Sequence, residues 1–432
     1  MIINKRSIKS LLAITALVTA STAQAAVHKV HPGESIQAAL DAAVSGDTVL
    51  VWPGTYSENE GGTYGLRIEK DNIRLIGKVK RRKGDEGKVR LLATGTQTEN
   101  GTGIYAAPPG CEYNFGRDQC NAPDLKNFYV RGFTVEGFGV NGIQTRFVDG
   151  FKMIRNESAN NLNNGIYPTL SANGLVRNNT SYGSLDTAMW VAGSENVRVV
   201  GNELYDSVIG FEITVSNNVK FRNNEVHNNT VGVGLFHPNG AGNPALYEMQ
   251  DWIIERNEIY NNNRPNMAVP GTFQAALPPG GGVLALGVSD HTIRDNRIDD
   301  HGLTGVAVMG WCSATFGTAN SCFDVDMNTG QLVLVDPPFN DPNNTVLDAS
   351  ASRNLITDNS VNNNGFWAGG LAGTPLEPFE FLAADLTYFN VPELQGLVEF
   401  SNGNCFEDNY SEDGDFTVSA VADGGVLPTD GC

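Results

Sequence analysis

The stretch from residue 153 to residue 224 repeats one four-residue unit that begins with an apolar residue and ends with asparagine. It reads Met153-Ile-Arg-Asn156, Val176-Arg-Asn-Asn179, Val199-Val-Gly-Asn202 and Phe221-Arg-Asn-Asn224, so the final asparagines recur at an almost constant spacing. Further units end at Asn257, Asn296, Asn359 and Asn409, at wider spacings that indicate insertions. A period of roughly 22 residues is typical of either leucine-rich repeats or a parallel β-helix.

The segments between the asparagines read as strands, and the leucine scaffold of the first alternative is missing. Aligned without gaps, they carry apolar residues that we expect to point inward: Ile143, Ile166, Met189, Phe211, Val233 and Val306. Asparagine at a fixed position can stack from coil to coil, with each amide bonding to its neighbours. The sequence therefore predicts an all-β fold, a single-stranded right-handed parallel β-helix of about ten to twelve coils.

The N-terminal part of the sequence predicts a cap for this coil. Residues 35–43 read as a short amphipathic helix with Ser35 as its N-cap, and Val51-Trp-Pro-Gly-Thr-Tyr56 follows as a strand and a turn. A Gln37-Ala-Ala39 helix, this turn and asparagine-marked coils together resemble the pectin-lyase-like superfamily, and more narrowly its uncharacterised bacterial right-handed β-helix repeat proteins. The resemblance implies the fold but no single activity, because this architecture hosts lyases, hydrolases, esterases, epimerases, adhesins and metal-delivery proteins.

The local signatures of the named enzymes of this superfamily are absent. Of the four polygalacturonase motifs the chain has only an acidic pair, Asp299-Asp300, which the Asn296 marker places in a turn. The Asp-Phe-Ile-Phe-Gly segment of pectin methylesterases and the Asp-Pro-His-Asp of mannuronan epimerases are also missing. The 6 His and 7 Met are scattered and give no soft-ligand cluster, which disfavours a periplasmic metal-delivery protein.

Residues 1–25 predict a signal peptide. Lys5, Arg6 and Lys9 precede an apolar run over 11–20 and a small-residue site at Ala23-Gln-Ala25. That run is too short to span a bilayer, so we expect no membrane insertion and a periplasmic or secreted bacterial protein. A formal net charge of -19 also disfavours nucleic acid and anionic membranes as partners. The oligomeric state stays open.

The remainder, residues 26–432, is expected to be one β-helix domain. Its loop insertions are expected at about 238–250, 263–280, 311–351 and 369–398, and they could wall a cleft. Loop length suggests three local disulfides in an exported chain, namely Cys111 with Cys120, Cys312 with Cys322, and Cys405 with Cys432.

One insertion carries the weak pattern of a calcium loop. Asp324, Asp326 and Asn328 alternate as oxygen ligands would, which leaves calcium open as a cofactor, but no glutamate closes the twelfth position. The same segment also reads as a hairpin that turns at Asn328-Thr-Gly330, and this interpretation is favoured. No other metal site is predicted. The histidines His28, His31, His227, His291 and His301 are expected to decorate turns.

Strand alternation turns the aligned repeats into outward columns, and one of them suggests a ligand site. That column contains Tyr167, Trp190 and Glu212, which would lie within roughly 10 Å along one groove, with Arg146 and His237 at its flank. Two aromatic faces and a carboxylate suit a sugar chain. The alternative is that these are ordinary solvent-facing strand residues with no ligand-binding role. The nearest further acid, Asp186, is expected roughly 13 Å away along the strand.

The sequence therefore supports two classes of function. In the first, an exported enzyme of lyase, epimerase or hydrolase type processes an extracellular polysaccharide, with Arg146, Tyr167, Glu212 and His237 as weak catalytic candidates and Tyr167, Trp190 and Glu212 as substrate-binding residues. In the second, the same groove belongs to a non-catalytic carbohydrate-binding or structural surface module. The missing carboxylate pair favours the second class, and the insertions that rim the groove favour the first.

Overall fold

The computed structural model describes residues 25–59, 61–79, 87–113, 119–236, 249–311, 314, 323–325, 332–334, 351–368, 370–374, 382–389, 403–412, 414 and 416–421. Three long sheets dominate these residues, and every strand in them pairs in parallel with the equivalent strand of the next coil. This is the parallel β-helix expected from the repeats. The proposed leader lies outside the described residues.

The strands, numbered in chain order, form three sheets. Sheet A consists of β1 (Val27–Val30), β2 (Thr48–Val51), β5 (Arg74–Gly77), β8 (Leu125–Arg131), β11 (Val148–Ile154), β14 (Ala172–Arg177), β17 (Glu195–Val200), β20 (Asn217–Arg222), β23 (Ile253–Glu255), β26 (Thr292–Arg294), β31 (Leu355–Thr357) and β34 (Cys405–Glu407). Sheet B consists of β3 (Gly54–Tyr56), β6 (Val89–Leu92), β9 (Phe133–Glu136), β12 (Glu157–Ala159), β15 (Thr180–Tyr182), β18 (Glu203–Tyr205), β21 (Glu225–His227), β24 (Glu258–Tyr260), β27 (Arg297–Asp299) and β32 (Ser360–Asn362). Sheet C consists of β4 (Tyr64–Ile68), β7 (Thr102–Ala106), β10 (Ile143–Arg146), β13 (Ile166–Thr169), β16 (Thr187–Ala192), β19 (Ile209–Thr214), β22 (Val231–Phe236), β25 (Gly281–Leu286), β28 (Thr304–Met309), β33 (Ala384–Phe389) and β35 (Val418–Val421).

The remaining elements are short. Helix α1 (Ile36–Ala42) begins after Ser35, whose side chain accepts a hydrogen bond from the backbone of Ala38, as an N-cap does. Its Ile36 and Leu40 are buried in the main core, and its role as a plug for the open end stays a prediction. Helix α2 (Gln97–Asn100), a 3₁₀ turn at Gln274–Ala276 and the antiparallel hairpin of β29 (Phe323–Val325) and β30 (Leu332–Leu334) complete the described structure. None of the helices so described is long and apolar enough to cross a membrane.

The marker asparagines form the expected ladder at the corner between sheets A and B. The backbone amide and the side-chain Nδ2 of Asn179 both donate to Oδ1 of Asn202, each at 2.9 Å. Nδ2 of Asn202 in turn donates to Oδ1 of Asn224 at 2.9 Å and to the carbonyl of Val176 at 3.1 Å. The pattern repeats along the coil and saturates amides that are almost fully buried.

Replacing one member of this ladder is expected to be costly. Asn202→Leu should lower the free energy of unfolding by at least about 2 kcal/mol, because the buried backbone amide of Asn179 loses its acceptor and the side-chain amides of Asn179 and Asn224 each lose one hydrogen bond. Urea denaturation measures the loss. Asn100→Leu, at an exposed site on α2, is the matched control and should change stability by less than about 0.5 kcal/mol. Equal stability of the two variants would contradict the ladder.

A second ladder, which the sequence reading missed, lies between sheets B and C and contains a histidine. Nδ2 of Asn262 lies 3.0 Å from Nε2 of His301, and Nδ1 of His301 lies 2.8 Å from Oδ1 of Asn364. Because an amide nitrogen only donates, Nε2 accepts and Nδ1 carries the proton. His301 lies at the turn between β27 and β28, and its side chain is buried there in the ladder; His291 is only 2% exposed.

The neutral form of His301 makes the fold sensitive to acid. Burial lowers the pKa of His301 to about 4, so the unfolded chain binds the proton more tightly between pH 6.5 and 4. The contribution of neutral His301 to the free energy of unfolding is fully present above pH 6.5 and is lost as the pH falls toward 4. His301→Asn restores an amide to the ladder. As the pH falls through that window, the free energy of unfolding of this variant should rise relative to that of the wild type by up to about 3 kcal/mol. Urea midpoints measured from pH 7.5 to 4 test this, and parallel curves for the two proteins would refute it.

Candidate functional site

The register of sheet C places the outward column as the repeats indicated. Gln144 lies opposite Tyr167, and Trp190 lies opposite Glu212 on the neighbouring strand. The residues one position earlier, including Met189, point into the main core and are fully buried. Tyr167 and Trp190 are half-buried on the outer face of the sheet, where a ligand can reach them.

Two loops rise on either side of this exposed patch and make it a groove. On the N-terminal side, the loop after β7 is closed by a Cys111–Cys120 disulfide and covers Gln144, whose Nε2 donates to the carbonyl of Tyr113 at 3.5 Å. On the C-terminal side, Phe273 of the 263–280 segment packs edge-on against Phe236 of β22, with ring centroids 5.2 Å apart. We call the stretch of sheet C between these two loops, which includes the half-buried Tyr167 and Trp190, the groove.

The two aromatic residues lie against each other. Their ring centroids are 4.6 Å apart with an interplanar angle of 13°, and Nε1 of Trp190 donates to Oγ1 of Thr214 at 3.0 Å. Each ring therefore has one face covered by the other, and their next neighbours in the column are Gln144 on the Tyr167 side and Glu212 on the Trp190 side.

The acidic residues differ most from the expectation. Oγ1 of Thr187 lies 2.7 Å from Oε2 of Glu212 and 3.1 Å from Oδ1 of Asp186, so a single hydroxyl group bridges the two carboxyl groups. The wide separation inferred for Asp186 is wrong, because the Glu212 side chain leans back along the strand toward Thr187. Glu212 is also not solvated: it is only 1% exposed, whereas Asp186 is half-buried.

The shared hydroxyl group bears on the charge state of this pair. It has one proton, so it can donate to only one of the two carboxyl groups at a time, and a proton on the other carboxyl group would complete the second hydrogen bond. Burial and the charge of Asp186 raise the pKa of Glu212 well above its usual range, which identifies Glu212 as the neutral member. Burial likewise raises the pKa of Asp186 to about 7, although hydrogen bonds from Thr187 and Gln274 oppose the shift.

The basic and phenolic candidates surround the pair. Burial raises the pKa of Tyr167 to about 12, although a hydrogen bond with Thr169 and the charge of Arg146 oppose the shift. Arg146 is only 5% exposed, so it is not the exposed flank that the sequence suggested. Burial lowers the pKa of its guanidinium, and the nearby hydroxyl of Tyr167 opposes that shift. The structure thus brings Arg146, Tyr167, Trp190 and Glu212 together and adds Asp186.

The remaining predicted sites are only partly described. His237, Asp326, Asn328, Cys312, Cys322 and Cys432 lie outside the described residues. Asp324 is on β29 of an antiparallel hairpin, in agreement with the favoured hairpin interpretation. The Cys111–Cys120 bond is confirmed, and Cys405 is disulfide-bonded. Within the described ranges, no group of three or more acidic, histidine or cysteine side chains could hold a metal ion.

Sequence reasoning missed Thr187 and Gln274. Thr187 is fully buried on the outer side of β16 and joins the two carboxyl groups, while Gln274 reaches Asp186 from the 263–280 segment. The only available signal was the polar Asp186-Thr187 pair at the start of a strand, directly before Met189 and Trp190.

Comparison with known proteins agrees with the fold. A family model described as a right-handed beta helix region matches residues 118–243, and no curated protein matches the chain. The catalytic domain of Agl-KA superposes with a TM-score of 0.55 at 12% identity, covering 96% of this chain and 70% of that one. The DFA-IIIase from Arthrobacter chlorophenolicus A6 in complex with GF2 gives 0.53 at 12% identity, covering 92% of each chain.

A third solved structure is similar over the same length. The A-module of the mannuronan C-5 epimerase AlgE6 from Azotobacter vinelandii gives a TM-score of 0.48 at 16% identity, covering 92% of this chain and 93% of that one. At these identities the likeness concerns the fold alone. The stacked parallel sheets, the asparagine ladder and the match over residues 118–243 show that this chain has the fold of a right-handed parallel β-helix.

Proposed function

We propose that the chain is a glycan-active enzyme that binds a polysaccharide along the groove and uses Asp186 as its acid–base group. The observation that carries the proposal is the proton-holding unit of Asp186, Thr187 and Glu212 beside the half-exposed rings of Tyr167 and Trp190. A carboxyl group whose pKa is about 7 is suited to proton transfer at neutral pH. The adjacent apolar rings suit the C–H faces of a sugar.

The geometry gives each residue of the unit a separate role. Asp186 is the more exposed carboxyl group of the pair, so we assign the proton transfer to it: it donates a proton to a glycosidic oxygen or accepts one from a sugar carbon. Neutral Glu212 donates to Thr187, which donates to Asp186, and this chain can return a proton to Asp186 after transfer. Tyr167 and Trp190 position the sugar, and the guanidinium of Arg146 supplies positive charge behind Tyr167.

Export is the proposed setting for this activity. The Cys111–Cys120 disulfide supports an oxidising compartment, in line with the signal peptide proposed over residues 1–25. The enzyme would then meet its polysaccharide in the periplasm or outside the cell. The proposed domain is residues 26–432, and the 263–280 segment contributes both Phe273 and Gln274 to the groove.

One observation favours a second candidate function, a carbohydrate-binding module without catalysis. Glu212 is only 1% exposed, and a buried neutral carboxyl group can serve structure alone. Both candidates predict binding in the groove, so turnover separates them.

A polysaccharide screen with a groove variant tests the proposed function. The wild type should bind at least one of a set of neutral and anionic polysaccharides and should release new reducing ends or unsaturated uronates from it. Trp190→Ala should weaken that binding by about 1–2 kcal/mol, because the sugar loses one exposed ring face. Tyr182→Ala is the matched control, since Tyr182 belongs to a half-buried ring stack on sheet B, with its ring 4.9 Å from that of Tyr205.

The outcomes of this screen are distinct. Binding without turnover would leave the carbohydrate-binding module and reject the enzyme. Binding that Trp190→Ala and Tyr182→Ala weaken equally would place the ligand outside the groove and reject both candidates as stated.

A further inference from the structure

The outer face of sheet A carries positive charge in a regular pattern. Two neighbouring columns of outward side chains run along sheet A from β5 to β17. On each strand, one of the two column positions holds a cation and the other holds an apolar or aromatic side chain. The cations are Arg74, Arg131, Lys152, Arg177 and Arg198, paired on their own strands with Ile76, Tyr129, Ile154, Leu175 and Val200. We call these five cations, together with Lys220 of β20, the basic strip.

The strip ends at identifiable residues. On β20 both columns are basic, with Lys220 and Arg222, and on β23 the next partners are Ile253 and Glu255. Glu255 forms an ion pair with Arg294 at 2.8 Å, and its carboxylate lies 3.8 Å from the guanidinium of Arg222. At a coil spacing of about 4.8 Å, the strip is roughly 24 Å long.

The cations of the strip are exposed and have no acidic partner in the described part of the chain. All six members are solvent-exposed, and the two columns contain no acidic residue from β5 to β20. The nearby Asp149 is already paired with Lys126 at 2.8 Å. This is unexpected in a chain of net charge -19, in which 48 acidic side chains oppose 29 basic ones. The charge is therefore segregated by face.

The strip and the groove lie on opposite sides of the coil. Sheets A and C pack their inner faces together, as shown by the rings of Phe221 and Phe211, which stack in the core with centroids 3.8 Å apart. A ligand on the outer face of sheet A therefore cannot touch Tyr167 or Trp190. The strip is a surface separate from the proposed active site.

We propose that the basic strip binds a single acidic polysaccharide chain laid along the coil axis, and so anchors the protein on a carboxylated or sulfated glycan. The charge complementarity is linear, with one cation per coil, which fits a narrow chain of regularly spaced anions. The intervening Ile154, Leu175 and Val200 match the apolar C–H faces of sugar rings. This surface goes beyond the proposed function and would serve either functional class.

Other polyanions fit the strip less well. A single-stranded nucleic acid needs aromatic platforms for its bases, and the only aromatic residue among the two columns is Tyr129, which is already covered by Arg74 at 4.9 Å. A broad anionic membrane or a nucleic-acid duplex would also meet the acidic remainder of the chain, which would repel it.

Binding of polygalacturonate at low salt tests the strip. The double variant Arg177→Gln/Arg198→Gln should bind about tenfold more weakly and show a shallower salt dependence. Arg256→Gln/Arg353→Gln removes the same charge from exposed residues that already pair with Asp295 and Asp290, and it should bind within about twofold of the wild type. Tyr182→Ala, in the ring stack on sheet B and outside both surfaces, should leave this binding unchanged.

Three results would overturn the proposal. The first is an equal loss in the two double variants, which would indicate general electrostatics. The second is tighter binding of an oligo-dT strand or of phosphatidylglycerol vesicles than of polygalacturonate. The third is equal binding of neutral dextran and polygalacturonate. Melting temperatures within a few degrees of the wild type would show that the exposed substitutions leave the fold intact.

Discussion

Asp186→Asn is expected to lower the rate of glycan turnover by about 10²- to 10⁴-fold while leaving glycan binding nearly unchanged. The amide keeps the size of the side chain and can still accept the hydrogen bond from Thr187, but it cannot exchange a proton. Initial rates of new reducing ends or unsaturated uronates, together with binding isotherms on the same polysaccharide, measure the two effects separately.

A matched control makes this result specific. Asp251→Asn removes the same charge at an exposed turn on another coil, and it should keep full activity. Loss of binding together with turnover in Asp186→Asn would assign Asp186 a structural role. Full activity of Asp186→Asn would remove it from the mechanism.

The same substitution should stabilise the protein in alkaline solution. The pKa of Asp186 is raised from 3.8 to about 7, so the folded chain holds this proton more tightly than the unfolded chain does. Wild-type stability therefore falls as the pH rises from about 4 to 7, and above that window Asp186→Asn should be more stable by about 1–4 kcal/mol. Such a trade of stability for function is common at active sites.

The second large effect concerns Met189, the inward neighbour of Trp190. Met189 is fully buried in the main core, so Met189→Ala should cost about 2–5 kcal/mol of stability through the cavity it leaves. Trp190→Ala, on the half-buried outward side, should cost much less stability and should weaken glycan binding instead. Chemical denaturation and binding isotherms of the two variants make the comparison.

This pair tests the register of sheet C directly. A shift by one residue would exchange the two side chains between core and groove and would exchange the two phenotypes. Unfolding by Trp190→Ala with a silent Met189→Ala would contradict the outward column and every site residue assigned from it.

The fold was predictable from sequence because it depends on a short-period pattern. The marker asparagines and the alternation around Ile143, Ile166 and Met189 determine the coil and the inward face, and both are local signals repeated many times. The second ladder was missed because its positions vary among Asn, Ser, His and Asp, as at Ser207, Asn229 and His301. Different side chains satisfy the same buried corner there.

The carboxyl pair was not predictable by the same means. Counting residues along ideal strands places Asp186 far from Glu212, whereas the Glu212 side chain leans toward Thr187 and the 263–280 segment brings Gln274 to Asp186. Side-chain direction and a long-range loop contact decide this site, and neither has a periodic signature. The basic strip was missed for another reason: net charge averages over all faces and hides the segregation on sheet A.

The central claim is that the Asp186–Thr187–Glu212 unit holds a proton at neutral pH, since the proposed acid–base role depends on it. Infrared difference spectroscopy of the wild type against Glu212→Gln at pH 7 measures this directly, because ordinary carboxyl groups are ionised there. We expect a carbonyl stretch of a neutral carboxylic acid in the wild type, and Glu212→Gln should remove the contribution of Glu212 to that band. Absence of that band from the wild type, with both carboxyl groups ionised, would contradict the account.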